Sequence, residues 1–138
     1  MKVKLLAILL LTLTVFIAPA IARQTVQIVD YDNVAITGTG GKVLQREQIK
    51  QAIQTAAGTK GWSIASQADG KMLATLTVRG KHTIAVEIEY AVDKYSLRYR
   101  DSTNMKYSEK DGQHTIHPNY NKWVQNLRDT IRLELIRL

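Results

Sequence analysis

The sequence predicts an α+β domain: a two-layer sandwich in the order β-α-β-β-β-β-α, with a mainly antiparallel sheet and two helices on one face. Three observations predict it. Between residues 62 and 100, apolar side chains recur at alternate positions in four successive runs separated by short turn-forming segments, the pattern of strands with one buried face. On either side of this block the apolar period lengthens to that of an amphipathic helix. A meander of four strands leaves an apolar face that must be covered, and two helices supply the cover.

Taken in order, the chain of 138 residues opens on a leader. Lys2 and Lys4 precede an apolar run at residues 5–17 broken only by Thr12 and Thr14, and Ala18-Pro19-Ala20-Ile21-Ala22 supplies small residues at an A-x-A site. That is the layout of a secretory signal peptide over residues 1–22, with cleavage expected after Ala22. An uncleaved anchor is the competing assignment. The run falls short of the roughly 20 residues that span a bilayer core, and Pro19 disfavours helix beside the cleavage point. Residues 23–138 then form a single domain, long enough to withdraw about two-thirds of its unfolded surface from water. No second apolar stretch approaches membrane length, so no transmembrane span is expected once the leader is removed, and the expected location is periplasmic or secreted. The chain has no cysteine, which excludes disulfides, thiolate metal sites, a cysteine nucleophile and a lipidated amino-terminal cysteine; Arg23 stands where the last would be.

Residues 25–29 are rich in β-branched side chains and predict a first strand, expected at a sheet edge and reached by a right-handed crossover if it pairs in parallel. Residues 30–42 predict a loop ending in Gly38, Gly40 and Gly41, although 34–37 could extend the sheet. Leu44, Ile49, Ala52, Ile53 and Ala56 share one side of a helix, with Arg46, Lys50 and Gln54 opposite, ending near Gly58. A three-residue loop Ala68-Asp69-Gly70 sets Ile64 across from Ala74 and Trp62 across from Leu76. A connection Gly80-Lys81-His82 sets Val78 across from Ile84, Leu76 from Val86 and Ala74 from Ile88. A two-residue turn at Asp93-Lys94 pairs Val92 with Tyr95, Tyr90 with Leu97 and Ile88 with Tyr99 on the buried face, and Glu89 with Arg98 and Glu87 with Arg100 on the other. Residues 101–115 are polar and predict a long loop, a length usually found in functional or disordered segments. Pro118 opens the second helix, where its missing N–H costs nothing. Tyr120, Trp123, Val124, Leu127, Ile131 and Leu135 form its apolar stripe, and Leu133 and Ile136 lie off it, either as ordinary exposed side chains or as the edge of a contact.

Few residues assemble into recognisable chemistry. Thr37-Gly38-Thr39-Gly40-Gly41-Lys42 precedes a helix, but Val43 replaces the Ser or Thr of a phosphate-binding loop and Ile36 its first glycine, and Val43 also breaks a dinucleotide fingerprint. His114 and His117 have a spacing that suits a metal, with only Asp111 or Glu109 to complete a set, so neither a metal nor a cofactor is expected. Ser102 and Ser108 share a region with both histidines without an elbow or S-x-x-K motif, and no catalytic residue is assigned. Asp30 and Asp32 flank Tyr31 at a turn, and Glu87 and Glu89 have arginine partners. In Lys94-Tyr95-Ser96-Leu97-Arg98-Tyr99-Arg100 strand alternation sends tyrosines inward and arginines outward, which excludes a joint nucleic-acid surface. The mature domain keeps 17 basic against 12 acidic residues, a modest excess that suits attraction to an anionic envelope surface.

The run Tyr99-Arg100-Asp101-Ser102-Thr103-Asn104-Met105-Lys106-Tyr107, followed by Ile116-His117-Pro118-Asn119-Tyr120-Asn121-Lys122-Trp123-Val124-Gln125-Asn126-Leu127, resembles a family of uncharacterised small exported proteins and lipoproteins of Gram-negative bacteria. Arg46-Glu47-Gln48-Ile49-Lys50-Gln51-Ala52-Ile53 and Gly61-Trp62 are similar too. The resemblance implies an envelope address and no chemistry, and the lipid-bearing cysteine of some relatives has no counterpart here. The tail motif has two readings. As scaffold, Asp101, Ser102 and Asn104 form turns and Tyr120 and Trp123 pack the helix. As a recognition rim, Asn104, Tyr107, His117, Asn119 and Asn121 offer hydrogen bonds around Tyr99 and Tyr120. The residues favour a non-enzymatic binding or interaction module whose partner is an envelope component, either a protein or an anionic surface. The alternative is an envelope hydrolase or transferase working from residues 101–121.

Overall fold

Alternation and helical period fold the chain as two layers. The computed structural model describes residues 24–138, and the leader assigned to residues 1–22 lies outside them. The elements are β1 (Val26–Gln27), β2 (Tyr31–Ala35), α1 (Arg46–Thr59), β3 (Ser63–Ser66), β4 (Lys71–Val78), β5 (His82–Tyr90), β6 (Lys94–Thr103), β7 (Ser108–Lys110), β8 (Gln113–Ile116) and α2 (Asn119–Ile136). They form two antiparallel sheets, one of five strands in the order β2-β6-β5-β4-β3 and one of three in the order β1-β8-β7. Met72, Ala74, Ile84, Val86, Ile88 and Leu97 line one face of the larger sheet. They are buried in a single cluster with Ile49, Ile53, Ala56 and Ala57 of α1 and Tyr120, Val124, Leu127 and Ile131 of α2. Each large side chain so buried contributes about 1.5–3 kcal/mol, which is why the apolar stripes decide the fold. No helix among the described residues is long and apolar enough to cross a membrane.

α1 starts with Gln48 Oε1 accepting the N–H of Gln45 at 2.9 Å, and stops where Gly61 takes φ +79°. The N–H groups of Gly61 and Trp62 then close on the carbonyls of Gly58 and Ala57, satisfying the last turn. The helix ends at Thr59, beside the expected end near Gly58, and Gly61 is the left-handed glycine that follows it.

The α+β sandwich with two helices is present, but the strands exceed the expected number. The expected first strand shortens to β1, which joins β8 antiparallel in the small sheet, and the segment expected as a loop over residues 30–42 supplies a further strand, β2, which pairs antiparallel with β6. No parallel pair arises among the described residues, so the condition for a right-handed crossover is not met. Residues 101–115 are not a loop. β6 continues to Thr103, and residues 108–116 form a hairpin turned by Asp111 and Gly112 at φ 53° and 74°, the two left-handed residues that suit a tight turn to the sheet's twist.

The β3–β4 register is as expected, with Ile64 opposite Ala74 and Gly70 at φ +78°. The next two hairpins keep the expected faces but slip by two residues. Leu76, not Val78, faces Ile84, and Ala74 faces Val86, because Arg79 and Gly80 at φ 56° and 64° move the turn one residue earlier. Tyr90 faces Tyr95, Ile88 faces Leu97 and Val86 faces Tyr99, because the connection takes residues 91–94 and closes with Ala91 N–H on Lys94 O. Val92 is therefore 47% exposed rather than buried. Glu87, not Glu89, faces Arg98. Arg98 still reaches Glu89 diagonally at 3.5 Å and pairs with Asp32 at 2.6 Å, while the expected pairing of Glu87 with Arg100 is lost. Beyond Tyr99 an extra residue, Arg100, bulges the strand, so that Asp101 faces Ala85 and Ser102 faces Ile84.

Candidate functional site

The tail motif folds into one end of the molecule, around the amino terminus of α2. Tyr99 and Tyr107 stack with ring centroids 4.6 Å apart, and Tyr120 meets Tyr99 edge-on at 5.5 Å. Tyr99 Oη bonds Ser102 Oγ at 2.8 Å, its N–H donates to Asp30 Oδ1 at 2.9 Å, and Tyr107 Oη bonds His114 Nδ1 at 2.6 Å. Glu109 lies 3.8 Å from the other nitrogen of His114. Asn121 is engaged on both amide groups: Oδ1 accepts from Val29 N–H and Nδ2 donates to Gln27 O, tying β1 to α2. His117 Nδ1 accepts the Asn119 N–H, and the backbone carbonyl of Asn104, at φ 59°, accepts from His82 Nδ1–H. Tyr120 is fully buried, and its hydroxyl has no hydrogen-bond partner among the described residues. Burial, reinforced by Asp30, holds its pKa far above the ordinary tyrosine range.

The expected rim is therefore brought together in space, but many of its polar groups bond to the molecule's own backbone and side chains. Two hollows flank it. One of about 270 Å³ is lined by Gln27, Ile28, Asp30, Tyr99, Gly112 and His114. The other, of about 360 Å³, brings His117 and Asn119 beside His82, Met105 and Trp123. Trp123 itself packs partly buried on the core. Among the described residues no group of three or more His, Asp or Glu side chains is gathered as metal ligands would be.

A larger cleft lies at the other end of α2. It measures about 540 Å³ and is bounded by residues 34–37 at the outer edge of the sheet, by Tyr95, and by Arg128, Arg132, Leu135 and Ile136 of α2. That size lies within the roughly 300–1,000 Å³ of small-ligand sites. Its walls are apolar through Val34, Ile36, Leu135 and Ile136, the last 48% exposed. Its two cations differ. Arg128 lies over the Tyr31 ring at 4.7 Å and bonds Asp129 Oδ1 at 2.8 Å. Arg132 has no hydrogen bond or ion pair among the described residues. Burial pushes the Tyr95 phenol up to about 12, outweighing the opposing pull of Arg128, so it remains a neutral hydroxyl at physiological pH.

The sequence held two signals for this cleft. Arg128 and Arg132 sit four apart, on one face of a helix, and Ile136 lies off the apolar stripe. Neither identifies a site until β2 is known to be the strand beside them. No family model, no curated protein and no solved structure matches the chain.

Proposed function

We propose that this chain is a non-enzymatic binding module of the cell envelope, and that its binding surface is the cleft between β2 and α2, which takes an anionic ligand with an apolar body. The observation that carries this is Arg132, a cation without an ion pair among the described residues, lining a cleft whose wall also carries Val34, Ile36, Leu135 and Ile136. A charge-assisted hydrogen bond to such a group contributes about 1.5–3 kcal/mol when it forms, and the walls reward burial of apolar surface. The envelope address is supported by the leader-like residues 1–22 and the basic excess of the remainder. A binding role over a hydrolase or transferase is supported by the engagement of Ser102 with Tyr99 and of His114 with Tyr107, neither of which leaves a poised nucleophile and base.

The test uses 8-anilinonaphthalene-1-sulfonate, an aromatic body bearing one anion, followed by its fluorescence. It should bind with one-to-one stoichiometry, and Arg132→Glu should weaken it at least tenfold without moving the thermal midpoint. Lys60→Glu, on the exposed end of α1, should change affinity less than twofold. Equal binding by Arg132→Glu and the native protein would remove this function.

A further inference from the structure

The backbone at the cleft narrows the ligand class further, on the premise that the cleft is the binding surface. β2 is the outermost strand of the five-stranded sheet, paired on one side only, with β6. Ile36 donates its N–H to Asp93 O at 2.8 Å, toward β6. Alternation along an antiparallel ladder therefore turns the N–H and C=O of Ala35 and Thr37 away from β6, to the side where no strand is paired. Both residues are exposed, and both line the cleft.

Open edges of this kind are usually blunted by charge, proline or a bulge. Here the protection is confined to the start of the strand. Asp32 is there, and the register breaks between Tyr31 and Val34, with Asn33 at φ 51° and its N–H turned onto Ser96 Oγ. Residues 34–37 carry neither charge nor proline. They run beside α2, whose Leu135 and Ile136 supply an apolar wall and whose Arg132 supplies a charge. A hydrocarbon chain laid in this cleft would cover the outward backbone groups of Ala35 and Thr37 without bonding them, leaving polar groups dry and unpaired. An added strand would pair them.

We propose that the cleft binds an extended, acidic segment of an envelope protein, added to β2 as a sixth strand, with a carboxylate of the segment paired to Arg132. Main-chain hydrogen bonds to Ala35 and Thr37 supply the register, and the apolar wall selects alternate side chains of the guest. The open stretch of four residues admits a segment of about the same length, roughly 13 Å of extended chain.

The experiment selects random dodecapeptides displayed on phage against the intact protein, with counter-selection on Arg132→Glu. The survivors should converge on alternating apolar positions with one Asp, Glu or terminal carboxylate at fixed spacing. A synthetic peptide of that consensus should slow amide exchange at Ala35 and Thr37 at least tenfold and bind Arg132→Glu at least tenfold more weakly. Thr37→Pro, which removes an outward donor and no bond to β6, should weaken the peptide at least tenfold while leaving anilinonaphthalene sulfonate within twofold. Strand addition is overturned if no peptide is enriched over the Arg132→Glu counter-selection, if the survivors lack an acid, or if the Ala35 and Thr37 amides stay unprotected. In those cases sulfonate binding that still depends on Arg132 leaves the cleft as a site for another anion. Sulfonate binding indifferent to Arg132 removes the cleft as well.

Discussion

The two ends of α2 carry polar side chains for opposite purposes. At its start Asn121 has bonds from both ends of its amide to the backbone of residues 27 and 29, and His117 receives the Asn119 N–H. Toward its finish Arg132 bonds to nothing among the described residues, one turn from Arg128, which is itself paired. The distinctive run His117-Pro118-Asn119-Tyr120-Asn121 is thus chemically rich, yet Asn121 holds β1 to the helix and His117 accepts the Asn119 N–H, whereas an unremarkable arginine has no bond among the described residues. A polar residue signals recognition when its bonding capacity is left over, and composition alone does not reveal that.

The largest effect that separates the two ends is expected from Asn121→Ala. Two hydrogen bonds at about 1 kcal/mol each give a loss of roughly 2 kcal/mol in urea unfolding, with anilinonaphthalene sulfonate affinity unchanged. A variant that keeps its stability but loses the dye would invert the assignment of scaffold and site. Tyr120→Phe comes next and has the opposite sign. Its buried hydroxyl lacks a protein partner, and removing an unsatisfied group should raise stability by about 1 kcal/mol; a comparable loss would reveal a bond through water or ligand at that hydroxyl. Tyr107→Phe removes a bond to His114 from a side chain that is 38% exposed, and should cost about 0.5 kcal/mol. A larger cost would mean that the tyrosine stack is organised from its rim.

The smallest effect at neutral pH is nil there and emerges only in alkali. Tyr95 in the fold loses its proton at about 12, against about 10 in an unfolded chain. Between these values the folded state binds more protons than the unfolded one, so stability is full below pH 10 and declines as pH rises toward 12. Tyr99 and Tyr120 are raised in the same direction by burial. The thermal midpoint should fall from pH 10 to 12, and Tyr95→Phe should make that fall shallower. An identical slope in the variant would place the alkaline transition at the tyrosine end instead of the cleft.

How far the sequence could be read depended on which forces left a local trace. The period-two and helical patterns mark the larger sheet and both helices because burial acts on side chains one at a time. The β3–β4 register is legible because Gly70 takes the left-handed φ of +78° that glycine adopts without strain, which pins the turn. The next two hairpins slipped by two because such a slip returns every side chain to its own face, so alternation is blind to it. Apparent charge agreement did not help, since Arg98 satisfies Glu89 from a diagonal position. β7 and β8 leave little trace in the sequence because five of their seven residues are exposed and no apolar alternation exists to read. Asp111-Gly112 was their one signal. β1 and β2 are divided at residues 28–30, where Asn121 and the Tyr99 backbone hold the chain through bonds that no window of neighbouring residues contains. The cleft depends on that division and was illegible for the same reason.

β2 meets its partner across a long interval, with Asn33 and Ser96 bonded at a separation of 63 residues. The meander β3–β6 closes through turns of a few residues, whereas docking β2 must first close a loop of that size, an entropic toll that slows assembly. A chain that has collapsed its helices and hairpins but not yet seated this outermost strand lacks the cleft between β2 and α2. On the proposed function, guest capture would be open only to a molecule that has completed its last long-distance join, so occupancy of the cleft would double as a readout of finished folding.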